Sequence, residues 1–277
     1  MKQPKHSIYH GMPVSIIEFD DVSEFVTATQ TTPRHKTKLW DMAFCGNMTA
    51  AQACSTARLG DEKLATRAKA LTATLGVELD MPAPHWMPAV AGAFPNVPAF
   101  LAGEHESMLA LADDTDDKTP VRIWASITSS YDVEPAALEK RGAAILALVM
   151  LLIRTRPVEL FIYHEGDGDR KMKSWATPII RVNTAPLHLG QAAFMLCSQG
   201  FSRGLIYTYC SETKGMGTNG RWMFGQPDSK RRIAITRDIL GAAPSDLIIP
   251  GAYSNDYSTT NPEGWLRDHV ANFTASL

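Results

Sequence analysis

The chain has 277 residues, 45% of them hydrophobic, and 27 Lys and Arg balance 29 Asp and Glu to a formal charge of −2. That length and apolar content exclude a disordered chain and allow an ample core, and the near-zero charge gives no global pull toward nucleic acid or anionic membrane. The four cysteines, Cys45, Cys54, Cys197 and Cys210, lack the paired spacing of zinc sites and no signal peptide precedes them, so reduced thiols in a cytoplasmic protein are expected.

In chain order, Met1 to Lys5 is polar and is expected to fray. Val14 to Phe19 reads as a short strand, followed by a turn at Asp20-Asp21 and a short helix. The stretch 30 to 38 has no apolar period and carries Arg34, His35, Lys36 and Lys38, which suits a solvated positive loop. A long helical pattern covers Thr49 to Leu75, interrupted near Gly60, with Asp61 placed to cap the second part and Gly76 to stop it. Residues 81 to 103, MPAPHWMPAVAGAFPNVPAFLAG, hold prolines too closely spaced for a regular helix or central strand. Their aromatics argue for an ordered extended arm. Asp113 to Asp117 is an acidic linker without the glycine and final glutamate of a calcium loop.

The chain is organised around residues 119 to 163. Val121 to Ala125 has strand composition and runs into the hydroxyl-rich loop Ser126-Ile127-Thr128-Ser129-Ser130. Pro135 suits the first turn of a helix starting near 134, and Ala143 to Ile153 is apolar all round, which marks a helix buried on more than one side. Arg141 and Arg154 bracket a run too short to cross a membrane. After Pro157, Val158 to Tyr163 resumes a strand pattern, so the segment predicts a parallel βαβ unit.

His164 to Asp169 reads as a charged, hairpin-like turn, and Thr177 to Val182 as a third strand leading to the loop Asn183-Thr184-Ala185-Pro186. Leu187 to Ser198 predicts a helix in which His188 is a packed or satisfied histidine and not a base. Leu205 to Cys210 predicts a fourth strand, with a glycine-rich loop from 211 to 228, a basic helix from Ser229 to Leu240, a fifth strand from Asp246 to Ile249 and a terminal helix from Pro262 capped by Asn261. The alternation predicts an α/β fold with a doubly wound, mostly parallel sheet over 119–277, preceded by a helical and proline-rich extension over 1–118.

A strand followed by spaced hydroxyls, a long helix, a second strand, and a third strand ending at a loop threonine resembles the von Willebrand factor A domain. There a leading aspartate, two hydroxyls, a threonine and a third-loop aspartate form a metal-ion-dependent adhesion site. On that resemblance Ser126 stands at the aspartate position, Thr128 and Ser130 at the hydroxyls, Thr184 at the threonine, and only Glu212 lies near the third-loop position. The set is degenerate, and hard cations prefer carboxylate oxygen, so at most weak Mg²⁺ binding is expected. The strings GDEKL, GAFPNVPAFLAG, RGAAILALVMLLIRTRPV and RVNTAPL also resemble an uncharacterised phage-encoded family.

No G-x-S-x-G elbow, phosphate-binding G-x-x-x-x-G-K-[ST] loop or H-E-x-x-H occurs. The resemblance therefore implies a non-enzymatic protein-interaction module. It would be a phage-encoded adaptor or assembly factor in the host cytoplasm, acting through the carboxyl-end loops on a partner such as an AAA+ ATPase. A second reading is a single-stranded nucleic-acid binder using Lys214, Arg221, Trp222, Phe224, Lys230, Arg231 and Arg232. A third is a virion component that uses the proline-rich arm as a subunit contact.

Overall fold

The computed structural model describes residues 3–31, 42–78, 86–111, 120–130, 132–154, 156–167, 175–213 and 229–274. Strands β1 (Lys5–Tyr9) and β2 (Met12–Phe19) form a hairpin, followed by helices α1 (Val22–Gln30), α2 (Ala50–Leu59) and α3 (Glu62–Glu78). The arm contributes β3 (Trp86–Ala89), β4 (Phe94–Pro95), α4 (Val97–Leu101) and β5 (Met108–Leu111). Then come β6 (Val121–Ser126), α5 (Pro135–Leu152), β7 (Val158–Tyr163), β8 (Gly166–Asp167), β9 (Trp175–Val182) and α6 (Leu189–Cys197). A π-helical segment, Gly200–Ile206, runs into α7 (Tyr207–Glu212), and α8 (Ser229–Leu240), β10 (Leu247–Ile249), α9 (Tyr257–Thr260) and α10 (Pro262–Thr274) complete the fold.

The predicted βαβ unit is present. Glu134 sits at the N-cap of α5 with Pro135 behind it in the first turn, where a missing N–H does no harm. Strands β6 and β7 pair in parallel, Val121 opposite Val158 through Ser126 opposite Tyr163. Strand β10 extends this parallel set on the other side of β6.

The sheet as a whole is mixed, in the order β1-β2-β9-β7-β6-β10, and this corrects the expectation of a mostly parallel one. Strand β9 returns antiparallel to β7, Leu160 opposite Val182 and Tyr163 opposite Ile179, because the charged turn after β7 is a hairpin connection and not a crossover. Strand β2 then pairs in parallel with β9, and β1 antiparallel with β2. Lys5, expected to belong to a frayed start, opens β1, and His10 and Gly11, both at positive φ, make the two-residue turn that a twisted hairpin favours.

Alternate residues of the strands feed two faces. Ile123, Ala125, Leu160, Ile162, Ile180 and Val182 enter the main core with α5, α6 and the N-terminal helices. Trp124, Tyr163, Ile179 and Ile248 enter a smaller cluster with Ile233 and Leu240 of α8. Trp124 and Phe161, opposite each other in the ladder, stack with ring centroids 4.3 Å apart. One core thus includes Phe25, Ala53 and Ala68 from the first 118 residues together with Leu148 and Leu266 from the rest.

A second correction concerns Leu205 to Cys210, which is helical. Its β-branched and aromatic content suits a strand, but Phe201, Leu205 and Tyr209 fall four residues apart and all are fully buried, the spacing of one helix face. Phe201 and Tyr209 both pack on Phe25. Burial of three large side chains on one stripe overrides the local preference.

Candidate functional site

The carboxyl ends of β6, β7 and β10 bring three loops together, as an open α/β sheet requires. Ser126 is fully buried, and its hydroxyl accepts from the Thr128 amide at 3.3 Å. The Thr128 hydroxyl accepts from the Glu165 amide at 2.7 Å, and the Thr128 carbonyl accepts from Ala252 at 2.8 Å. Ser130 donates its amide to the Ala252 carbonyl at 2.9 Å, so loop 126–130 is laced to the chain after β10. Gly251 permits this: a Cβ there would lie 3.0 Å from the Thr128 carbonyl oxygen.

Two arginines anchor the loops from below. Arg141 of α5, only 3% exposed, donates to the carbonyls of Ser126 at 3.3 Å and Pro250 at 2.5 Å and to the Ser258 hydroxyl at 3.2 Å. Burial lowers its guanidinium to about 10, against the opposing charges of Asp256, Tyr163 and Glu165. It stays protonated at neutral pH. Arg203, from the π-helical segment, donates to the carbonyls of Ser130 at 3.0 Å and Val133 at 3.1 Å and lies over the Phe44 ring at 4.8 Å. Inside the cluster the Tyr163 hydroxyl donates to a Glu165 carboxylate oxygen at 3.1 Å. At the surface the Ser254 hydroxyl donates to Asp132 at 2.7 Å. The Ser130 and Ser254 hydroxyls hold the Asp132 carboxyl below its ordinary value, whereas burial raises Asp256 against a Tyr253 amide bond and the Arg141 charge.

Thr184 is not part of this cluster. Because β9 is antiparallel to β7, its carboxyl end lies at the start of β7, where the Thr184 hydroxyl donates to the Val158 carbonyl. Ser126 faces Tyr163 at the other end of that strand, and five residue steps at about 3.3 Å put the two ends roughly 17 Å apart. Glu212 ends α7, a helix, and follows no strand. Ser126, Thr128 and Ser130 come together; Thr184 does not join them. The residues do not fit the adhesion-site ligand set, since the Ser126 and Thr128 hydroxyls already accept from backbone amides, the Ser130 hydroxyl is bonded to Asp132, and neutral oxygens hold divalent ions poorly. Among the described residues, no group of three or more His, Cys, Asp or Glu is placed to hold a metal ion.

Arg34, His35, Lys36, Lys38, Asp113 to Asp117, Lys214, Arg221, Trp222 and Phe224 lie outside the described residues. Lys230, Arg231 and Arg232 fall in the first turn of α8. His188 is exposed at the N-cap of α6, not packed within a helix.

Sequence reasoning placed an ordered arm at 81–103 but not its surface. Strands β3, β5 and β4 form a small antiparallel sheet in that order, and Asn96 caps α4 by accepting from the Ala99 amide at 3.3 Å. Of α4 only Ala99 is buried. Phe100 is 68% and Leu101 78% exposed, and Met87, Val90, Phe94 and Val97 of the same arm are exposed as well. The signal was present in the sequence: VPAFLAG is apolar without polar residues at the outward positions of so short a helix.

The model of one protein family matches residues 3–275, described as a domain of unknown function, DUF7192. The chain belongs to the DUF7192 family. The match spans the arm, the β1–β2 hairpin and the central sheet together, and the hairpin and the sheet share one core. No curated protein and no solved structure matches this DUF7192 chain. No helix of its described residues is long and apolar enough to cross a membrane.

Proposed function

We propose that this DUF7192 chain is a protein-interaction module, an adaptor or assembly factor, that takes its partner protein on the apolar arm of residues 86–111. The observation that carries the reading is the concentration of exposed large side chains there, with Phe100 and Leu101 side by side on α4. Single exposed apolar residues are ordinary, but a contiguous group on one element marks an interaction surface. Aromatic and aliphatic anchors of this kind dominate interface energetics. The laced loops beyond β6 and β10 support the same reading, since a face tied by Arg141 and Arg203 is preorganised for a second contact.

The test is site-specific photo-cross-linking in cells that produce the partner, with the reactive residue at Phe100 in one variant and at Asn255 on the loop face in another. A discrete protein adduct from position 100, resistant to nuclease and abolished by Leu101→Asp, is the expected result. Leu101→Asp should leave stability within about 0.5 kcal/mol, as exposed substitutions do. Adducts to nucleic acid alone, or to protein from position 255 alone, would overturn the arm as the partner surface.

A further inference from the structure

A cavity of about 670 Å³ lies where the arm meets the amino end of β7, far from the laced loops. Its lining combines Trp86 and Phe94 of the small sheet with Met150 of α5 and Leu187 after β9. Trp86 and Phe94 meet edge to face with centroids 5.0 Å apart, which fixes that side of the cavity. The volume is in the range of sites that enclose most of a small organic ligand.

Arg154 and Arg156 also belong to the lining, and both are half-buried. Among the described residues neither guanidinium has an ion-pair or hydrogen-bond partner, whereas Arg67, Arg122 and Arg181 each pair with a glutamate. A guanidinium beside apolar walls is complemented by an oxyanion, which it can bind through two parallel hydrogen bonds. Thr184 and Thr72, which also line the cavity, already donate to the Val158 and Ala68 carbonyls. We propose that this cavity binds a small amphipathic anion, an acyl or aryl body ending in a carboxylate or phosphate, with the body between Trp86, Phe94 and Met150 and the charge on Arg154 and Arg156. A cavity for a small ligand is independent of what docks on Phe100 and Leu101.

Isothermal titration with decanoate, decyl phosphate and decanol tests it on the full chain. The expected result is one site that takes at least one of the two anions about tenfold or more tightly than decanol, the better anion naming the headgroup. Arg154→Gln with Arg156→Gln should abolish that preference, and Ala185→Trp, at an exposed lining position, should block all three probes. Ala93→Trp provides a second obstruction from the arm if the first variant does not fold. Equal affinity for decanol, or an anion preference that survives loss of both arginines, would overturn the assignment, as would no binding at all. Binding to anionic vesicles without binding of the monomeric probes would point to a membrane surface and overturn it too. The same holds if binding emerges only after Asp113, Asp114, Asp116 and Asp117 are changed to Asn, since the arginines would then belong to the chain's own acidic run.

Discussion

Arg141 donates to the Pro250 carbonyl at 2.5 Å, joining the middle of α5 to the loop that follows β10. The same guanidinium reaches Ser126 and Ser258, so a single side chain satisfies acceptors on three segments. Arg141→Ala would leave those acceptors without a donor in the interior and is expected to cost about 3 kcal/mol. Arg141→Lys should recover less than half of that, because an ammonium cannot reproduce a planar fork. Urea denaturation measures both; a loss below about 0.5 kcal/mol for Arg141→Ala would show that the loops hold themselves.

Ser129 and Thr128 are adjacent, buried and opposite in their hydrogen bonding. The Ser129 hydroxyl has no partner among the described residues, whereas the Thr128 hydroxyl accepts from the Glu165 amide. Ser129→Ala removes an unsatisfied polar group and should be neutral or stabilising by up to about 1 kcal/mol, while Thr128→Val strands a buried N–H and should destabilise by about 1–3 kcal/mol. Equal effects of the two substitutions in thermal or chemical unfolding would refute this account of the loop.

The βαβ unit was legible because its signals agree: strand composition before Ser126, Pro135 in the first helical turn, an all-apolar helix, and Pro157 before β7. The site was not legible for a topological reason. Reading His164 to Asp169 as a hairpin-like turn already implied an antiparallel β9, and an antiparallel strand delivers Thr184 to the far end of the sheet. Strand-to-loop spacing along the sequence carries no direction, so a threonine after a strand matched the adhesion-site pattern without meeting it in space. Residues 205–210 failed differently, because the buried face is set by Phe201, which precedes the segment, together with Tyr209 within it, and both pack on Phe25 from the other end of the chain.

Metal binding follows from that geometry. Titration with Mg²⁺ or Mn²⁺ at millimolar concentration should give no binding heat, and Ser126→Asp should not create a site. Position 126 is fully buried and Thr184 remains at the opposite end of β7. Tight binding by either protein would require ligands that these loops do not bring together.

Asp132 and Asp256 should titrate on opposite sides of the ordinary aspartate value. Hydrogen bonds from Ser130 and Ser254 lower Asp132, and burial raises Asp256. Asp132 therefore contributes stability that is complete above about pH 4, its unfolded value, and is lost as pH falls through the lower folded value. Asp256 acts in the reverse sense: its burial favours the protonated form, so its contribution to stability falls as pH rises through its raised folded value. Carboxyl-carbon NMR titration distinguishes them, and Ser254→Ala should move Asp132 upward while leaving Asp256 in place. Movement of both together would mean that the loop is not laced as described.

Gly142 tests the packing that supports the whole arrangement. It lies in the middle of α5, where alanine would ordinarily be favoured over glycine by about 1 kcal/mol of helix propensity. Here a Cβ would fall 2.4 Å from the Leu196 carbonyl oxygen and 2.7 Å from the Cys197 sulfur of α6. The nearest obstacle is backbone, which cannot rotate away, so α5 and α6 would have to separate. Overpacking of this kind typically costs about 1–3 kcal/mol, and because α5 also carries Arg141, its displacement would loosen the loops at the sheet's carboxyl end. Gly142→Ala is therefore expected to be destabilising despite its propensity gain. Its second signature should be faster amide exchange at Ser130 and Ala252, whose backbones are bonded to each other across the loops. A stabilised Gly142→Ala protein with unchanged exchange at those amides would show that the two helices do not approach so closely.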